Sequence, residues 1–183
     1  MRGFDLLLAA LGILVFLPLM AVIYVIGLFD TGRPLFFQTR VGRHQKPFTL
    51  IKFRTMGVNT DSVATHLAEM SSVTKLGGFL RRTKLDELPQ LFNVLFGQMS
   101  LVGPRPCLFN QTELVDCRAE RGIYDARPGI TGLAQVNDVD MSTPEKLARY
   151  DALMLKHSGL CSYFYYIFAT VLGRGQGDRV KSS

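Results

Sequence analysis

The chain has 183 residues, 48% of them apolar and 20% charged. This composition can build a core and excludes a disordered or low-complexity chain, while the length suits one compact domain. The formal net charge of +6 is unevenly placed: residues 31–60 hold Arg33, Arg40, Arg43, Lys46, Lys52 and Arg54 with no acid among them. Such a stretch suits anionic lipid headgroups, a phosphate-bearing substrate or nucleic acid, and charge alone does not choose between them. Cys107, Cys117 and Cys161 lack CxxC spacing, which argues against a disulfide framework and fits a reducing, cytosolic compartment. His44, His66 and His157 are scattered, with no HExxH pattern or Cys/His cluster beside them, so a structural zinc site finds little support.

The first predicted element is the uncharged run from Leu6 to Phe29, 24 residues long. It is too long for the apolar part of a signal peptide and no small-x-small cleavage site follows, so it reads as a retained anchor. As a straight helix it would reach about 36 Å, enough for a hydrocarbon core of about 30 Å. Pro18 divides it into arms of 12 and 11 residues, each about 17 Å long if helical. A sharp bend there would let the segment dip into one leaflet and return. Physics alone favours a spanning helix with a mild kink, while Arg2 on one flank and Arg33 onward on the other lean toward re-entry.

After the membrane segment, Asp30-Thr-Gly-Arg-Pro34 reads as a turn. Pro47 to Arg54 reads as a short strand whose period of two places Lys52 and Arg54 on one face and Ile51 and Phe53 on the other. Residues 57–74 are polar and irregular and read as a loop with some helix. The clearest helix runs from Asp86 to Phe96, with Leu88, Leu91, Phe92 and Leu95 as its apolar stripe, Asp86 as N-cap and Pro89 in the first turn. Further helices are predicted after Asn110, with Glu113 in a capping-box-like position, and from Thr143-Pro144-Glu145. The segment Leu160 to Leu172 carries Tyr163, Phe164, Tyr165, Tyr166 and Phe168, a density that suits a membrane interface or a core helix alike. The expected class is mainly α with a few short strands, an α+β fold, with residues 1–30 in the membrane and 31–183 forming one domain.

The candidate chemistry centres on Asp86 and Glu87, preceded by Arg81, Arg82 and Lys84. Helix capping would explain Asp86 without catalysis, so its surroundings decide the matter. In Leu101-Val-Gly-Pro-Arg-Pro106, two prolines hold Arg105 in a stiff loop, and Arg127-Pro-Gly-Ile-Thr-Gly132 repeats the device. A preset arginine makes a bidentate phosphate ligand at low entropic cost, although each loop also reads as a turn with a solvated arginine. Three basic elements (the Lys52/Arg54 face, Arg105 and Arg127) beside an acid pair point to phosphoryl chemistry. A carboxylate can attack phosphorus while cations offset the developing charge.

These strings together resemble a known family. Lys52-Phe-Arg-Thr-Met56, Lys84-Leu-Asp-Glu-Leu-Pro-Gln-Leu-Phe-Asn-Val94, Met99-Ser-Leu-Val-Gly-Pro-Arg-Pro106 and Arg127-Pro-Gly-Ile-Thr-Gly-Leu-Ala-Gln-Val-Asn137 resemble, in order and over nearly the whole chain, the bacterial sugar transferases. These are monotopic phosphoglycosyl transferases, and the chain resembles their minimal form, with one membrane helix. The resemblance implies transfer of a phosphosugar from a UDP-sugar to undecaprenyl phosphate with release of UMP, the first membrane step of glycan assembly. It implies Asp86 as the nucleophile forming an aspartyl phosphosugar, with Glu87 assisting in positioning and in Mg2+ binding. It implies Lys52, Arg54, Arg81, Arg105 and Arg127 as phosphate and nucleotide contacts, and a re-entrant helix broken at Pro18. A cytosolic catalytic domain with interfacial amphipathic helices on the inner membrane follows from it, with membrane lipid as a partner and no nucleic acid; homo-oligomerisation stays open. Two departures stand out. Leu17 replaces a serine that often precedes the proline, which leaves the bend with less local support. Asp138 replaces the glycine of Gln-Val-Asn-Gly, in a loop expected near the sugar. A tethered polyanion-binding scaffold would leave the acid pair and rigid arginines idle, and a magnesium-dependent phosphohydrolase would release sugar phosphate into water without lipid.

Overall fold

The computed structural model describes residues 1–58 and 72–175. The fold is mostly helical with two small sheets, so the expected class holds. The greater part of the loop expected over residues 57–74 lies outside the described residues.

The first helix, α1, runs from Arg2 to Asp30 with Pro18 inside it. The backbone stays helical through the proline, so the expected break is no interruption of the helix. Its length, about 43 Å, and its composition would allow it to cross a bilayer. Yet α1 does not stand apart from the rest of the chain. Asp5, Ala9, Met20, Ile23 and Gly27 form a buried stripe at the three-, four- and seven-residue spacings that keep side chains on one helix face. Ala9 packs with Phe48, Leu50, Val94 and Met99, and Met20 and Ile23 pack with Phe53 and Leu80. Leu7, Leu11, Leu14, Val15, Val22, Val25 and Phe29 remain exposed on the other faces.

Both ends of α1 are tied to this domain. The Arg2 guanidinium donates to the carbonyls of Val94 (2.6 Å) and Met99 (3.1 Å), and Asp30 accepts from Thr74 Oγ1 at 2.7 Å. A straight helix crossing a membrane would place its ends on opposite sides.

Strands β1 (Leu35–Val41) and β2 (Pro47–Phe53) form an antiparallel hairpin. The strand predicted over 47–54 is therefore β2, one residue shorter. Its partner β1 was not predicted, because Leu35-Phe-Phe has no clean alternation. Helix α2 (Lys75–Thr83), capped by Thr74 Oγ1 on the Gly77 amide, also went unpredicted. Helix α3 spans Gln90–Leu95, and β3 (Ser100–Val102) pairs in parallel with β4 (Gly129–Thr131). Between the two strands lies α4 (Thr112–Glu120), and after them come the single turn α5 (Leu133–Val136), α6 (Pro144–Lys156) and α7 (Leu160–Val171). Pro144 occupies the first turn of α6 as predicted, and α4 begins two residues after Asn110 but carries no side-chain cap.

A third core cluster, of Val41, Cys107, Leu114, Ala134, Val139 and Leu147, joins the hairpin end to α4, α5 and α6. The Asp138 departure falls at the end of α5. Val139 donates its amide to Ala134 and Asp138 donates to Gln135, the paired bonds of a Schellman motif. Asp138 takes φ +56°, the left-handed position that glycine adopts most easily.

Candidate active site

The chain enters the acid pair through a sharp turn. Lys84 closes α2 with φ +58°, a left-handed conformation uncommon outside glycine and asparagine. A short 3-10 turn over Leu85–Glu87 follows, and α3 starts only at Gln90, with no side-chain cap. The expected helix from Asp86 is thus corrected: Asp86 sits in the 3-10 turn and does not cap α3. The apolar stripe holds nevertheless, since Leu88, Leu91, Phe92 and Leu95 pack against the cores beneath α1. Released from a capping role, Asp86 is 8% exposed.

Glu87 is the hub. Its Oε1 accepts from Lys52 Nζ at 3.1 Å and from Arg105 Nη2 at 2.7 Å. Lys52 comes from β2 and Arg105 from the Pro104–Pro106 loop, so three sequence-distant motifs meet at one carboxylate. These are charge-assisted bonds between largely buried groups, stronger than their solvent-exposed counterparts. Asn93 steadies the arrangement from α3. Its amide nitrogen donates to Thr49 O at 2.7 Å and its Oδ1 accepts from the Ile51 amide at 3.1 Å, which fixes the edge of β2 next to Lys52. Lys84, partly buried and facing Arg105, has its ammonium held below the usual lysine range, chiefly by burial.

The other expected cations are placed differently. Arg81 Nε donates to Thr55 Oγ1 at 2.8 Å, just beyond the β2 end that carries Lys52. Arg54 lies past the last residue of β2, so the alternation that would have aligned it with Lys52 has ended. Its Nε donates to Arg33 O at 2.9 Å, and its guanidinium lies over the Phe36 ring. Arg127 Nε donates to Gly97 O at 2.9 Å, at the turn after α3. Lys52, Glu87 and Arg105, each nominated from its own motif, meet here, whereas the buried side chains around them, Asn93, Arg40, Arg118 and Asp151, were not among the expected site residues. Asn93 lies in the Lys84–Val94 motif and Arg40 in the basic stretch over 31–60, while Arg118 and Asp151 carry no local signal.

Asp86 and Glu87 offer hard carboxylate oxygens, and among the described residues no group of three His, Cys, Asp or Glu side chains gathers. That donor set fits a cation that takes one or two carboxylates and fills its remaining positions with phosphate oxygens and water.

A family model described as bacterial sugar transferase matches residues 1–175, and the chain belongs to that family. It is 38% identical, over 91% of its length, to a UDP-glucose:undecaprenyl-phosphate glucose-1-phosphate transferase of Klebsiella pneumoniae. It is 40% identical over 78% to an undecaprenyl-phosphate galactose phosphotransferase of Salmonella typhimurium. It is 42% identical over 74% to a UDP-N-acetylgalactosamine-undecaprenyl-phosphate N-acetylgalactosaminephosphotransferase of Aeromonas hydrophila. The chain spans 38%, 34% and 33% of the lengths of these three proteins.

Proposed function

We propose that this chain transfers a phosphosugar from a UDP-sugar to undecaprenyl phosphate, giving polyprenyl-diphosphate-sugar and UMP. The observation that carries the reading is buried Asp86 beside partly buried Glu87, with Lys52 and Arg105 converging on Glu87. A carboxylate oxygen of Asp86 attacks the phosphorus that bears the sugar. The bond from that phosphorus to the bridging oxygen breaks, and UMP leaves with the electron pair. The lipid phosphate then attacks the same phosphorus and frees the Asp86 carboxylate. Dividing the reaction this way means the two polyanions need not crowd one pocket at once. Lys52 and Arg105 meet the charge that develops on the phosphoryl oxygens, and Arg81 extends the cationic surface. Mg2+, held by Asp86 and Glu87, would supply further charge neutralisation when bound.

The membrane geometry supports the same reading. With both ends of α1 bonded to one domain and the helix unbroken at Pro18, α1 is read as entering one leaflet along its exposed apolar faces. The domain is assigned to the cytoplasmic face of the inner membrane by the basic residues that flank the helix. Exposed Phe168, Val171 and Leu172, at the end of α7, settle into the interface beside it. The three relatives act on different sugars, and the sugar used here is left to experiment.

The test is UMP release from a panel of UDP-sugars with undecaprenyl phosphate present. One sugar should give turnover with ping-pong kinetics, and withholding lipid should leave a phosphosugar adduct on Asp86. Asp86→Asn should abolish both in a folded protein. Absence of UMP release across the panel would refute the reading, and lipid-independent release of sugar phosphate would identify a phosphohydrolase instead.

A further inference from the structure

The Pro104–Cys107 segment is gripped at four consecutive carbonyls. Pro104 O accepts from the Gly129 amide at 2.9 Å, and Cys107 O accepts from the Val41 amide at 2.9 Å. Between them, Arg105 O accepts from Arg118 Nη1 at 2.8 Å and Pro106 O from Arg40 Nη1 at 3.1 Å. Prolines at 104 and 106 have no amide hydrogen to give, so the loop is fixed largely through its acceptors.

Two of the four donors are buried arginines, which is an unusual use of charge. Arg118 is 2% exposed and Asp151 is fully buried. Arg118 places Nε and Nη2 on Asp151 Oδ2, at 2.9 and 2.7 Å, which leaves Nη1 aimed at Arg105 O. Arg40 is oriented in the same manner, with Nη2 donating to Gln38 Oε1. A buried ion pair gains little stability, because desolvating both ions offsets their attraction, and apolar residues of similar volume often serve as well. Burial pushes the Asp151 carboxyl above the usual carboxylate range, against the pull of Arg118. Stability alone therefore gives no reason for a charged pair at this place, whereas geometry does. Only a planar fork can hold a carboxylate with two of its nitrogens and reach a backbone carbonyl with the third.

We infer that Arg118, held by Asp151 and seconded by Arg40, is a positioning residue that sets the Arg105 backbone so that its guanidinium meets Glu87 and the incoming phosphate. This rests on the assignment of Arg105 to substrate phosphate made above. The role is indirect, since Arg118 touches the loop and not the substrate. A loop pinned on both flanks and at its centre delivers Arg105 with little ordering left to do on binding.

The test is a double-mutant cycle on the full chain in lipid nanodiscs, read together with amide exchange. Arg118→Lys keeps a cation for Asp151 but loses the fork, and should lower kcat for UMP release about tenfold to hundredfold. In an Arg105→Ala background the same change should matter by no more than about twofold, because nothing remains to be positioned. Independent, multiplying losses would overturn the inference. Separately, Arg118→Lys should speed exchange of the Gly129 and Val41 amides about tenfold or more while the Ile51 amide is unaffected. Unchanged exchange at Gly129 and Val41 would also overturn it, whether or not the chain turns over any UDP-sugar. Accelerated exchange in a chain whose wild type releases no UMP would instead refute the transferase reading and leave the clamp standing. Should Arg118→Lys fail to fold, Asp151→Asn, which keeps the size of the partner, carries the same two measurements.

Discussion

Asp5 anchors the N-terminal end of the membrane helix, and removing its carboxylate should loosen that end measurably. The side chain is 3% exposed. It accepts from Ser100 Oγ at 2.9 Å, from the Leu101 amide at 3.0 Å and from the Tyr163 hydroxyl at 2.8 Å, and Arg2 stands 3.8 Å away. In Asp5→Leu, the Ser100 hydroxyl can rotate to a new partner, but the Leu101 amide and the Tyr163 hydroxyl lose theirs. Each stranded buried donor costs about 1–3 kcal/mol, so two cost about 2–6 kcal/mol. Relief from burying a carboxylate offsets part of this, and a net loss of about 2–4 kcal/mol remains. For a chain of this size that corresponds to a fall in Tm of roughly 4–16 °C. Asp5→Asn retains one oxygen and should fall between Leu and wild type. Thermal unfolding in nanodiscs measures the loss. A cysteine at Gly3, where a side chain meets nothing within 4 Å, reports the location of this end once Cys107, Cys117 and Cys161 are replaced. It should label from the cytosolic side in the Asp5 protein. A Tm for Asp5→Leu within about 2 °C of wild type, or labelling of Gly3→Cys only from the periplasm, would refute the reasoning.

Four other outcomes are expected. Arg105→Lys keeps the charge but loses the fork, and should cost about 2–4 kcal/mol of transition-state stabilisation in steady-state UMP release; activity within about threefold of wild type would make Arg105 a turn residue only. Asp138→Gly should raise stability by about 0.5–1 kcal/mol in chemical denaturation, since glycine fits φ +56° without strain. Burial, with the hydrogen bond to Asp5 second, raises the Tyr163 hydroxyl above its ordinary range, so the native state keeps a proton that the unfolded chain gives up. Stability should then decline as pH rises above about 10, and Tyr163→Phe should remove close to one proton, roughly 1.4 kcal/mol per pH unit, from that slope. Chelation of divalent cations should abolish UMP release and added Mg2+ should restore it, while Tm changes little.

The features legible in the sequence were those set by short-range pattern. The α3 stripe, Pro144 at the start of α6 and the uncharged run of α1 each follow from a local period or a local backbone constraint. Lys52, Glu87 and Arg105 could be nominated from their motifs, but nothing local said that one carboxylate oxygen would receive both cations. The misread cap at Asp86 shows why. Whether a helix starts at residue 86 or at residue 90 depends on the left-handed turn at Lys84, which has no marker such as glycine. Likewise the parallel pairing of Ser100–Val102 with Gly129–Thr131 joins strands of three residues, too short to carry a period. Its close approach depends on Gly103, where an added Cβ would lie 2.5 Å from Arg127 O and 2.8 Å from the Gly129 amide. The buried Arg118–Asp151 pair is the extreme case. Two charged residues on α4 and α6 would be assigned to solvent by any local rule, and only the packing of those helices takes them inside.

The charge count at the site links the arginine loop to the proposed metal. Asp86 and Glu87 carry two formal negative charges against three positive ones on Lys52, Arg105 and nearby Lys84, with Lys52 and Arg105 already engaged on Glu87. A diphosphate arriving there adds about two negative charges in a place where water screens poorly. Lys52 and Arg105 cannot turn fully to phosphate while Glu87 holds them, and turning away would leave a buried carboxylate without its partners, a costly outcome. The proposed Mg2+, if held by Glu87 and Asp86, would compensate the carboxylates and so leave Lys52 and Arg105 available to phosphate oxygens. The preset of Arg105 matters most at that exchange. An arginine whose backbone is pinned by Arg118 and Arg40 can pass from carboxylate to phosphate by a small movement of its side chain alone, with the loop itself unmoved.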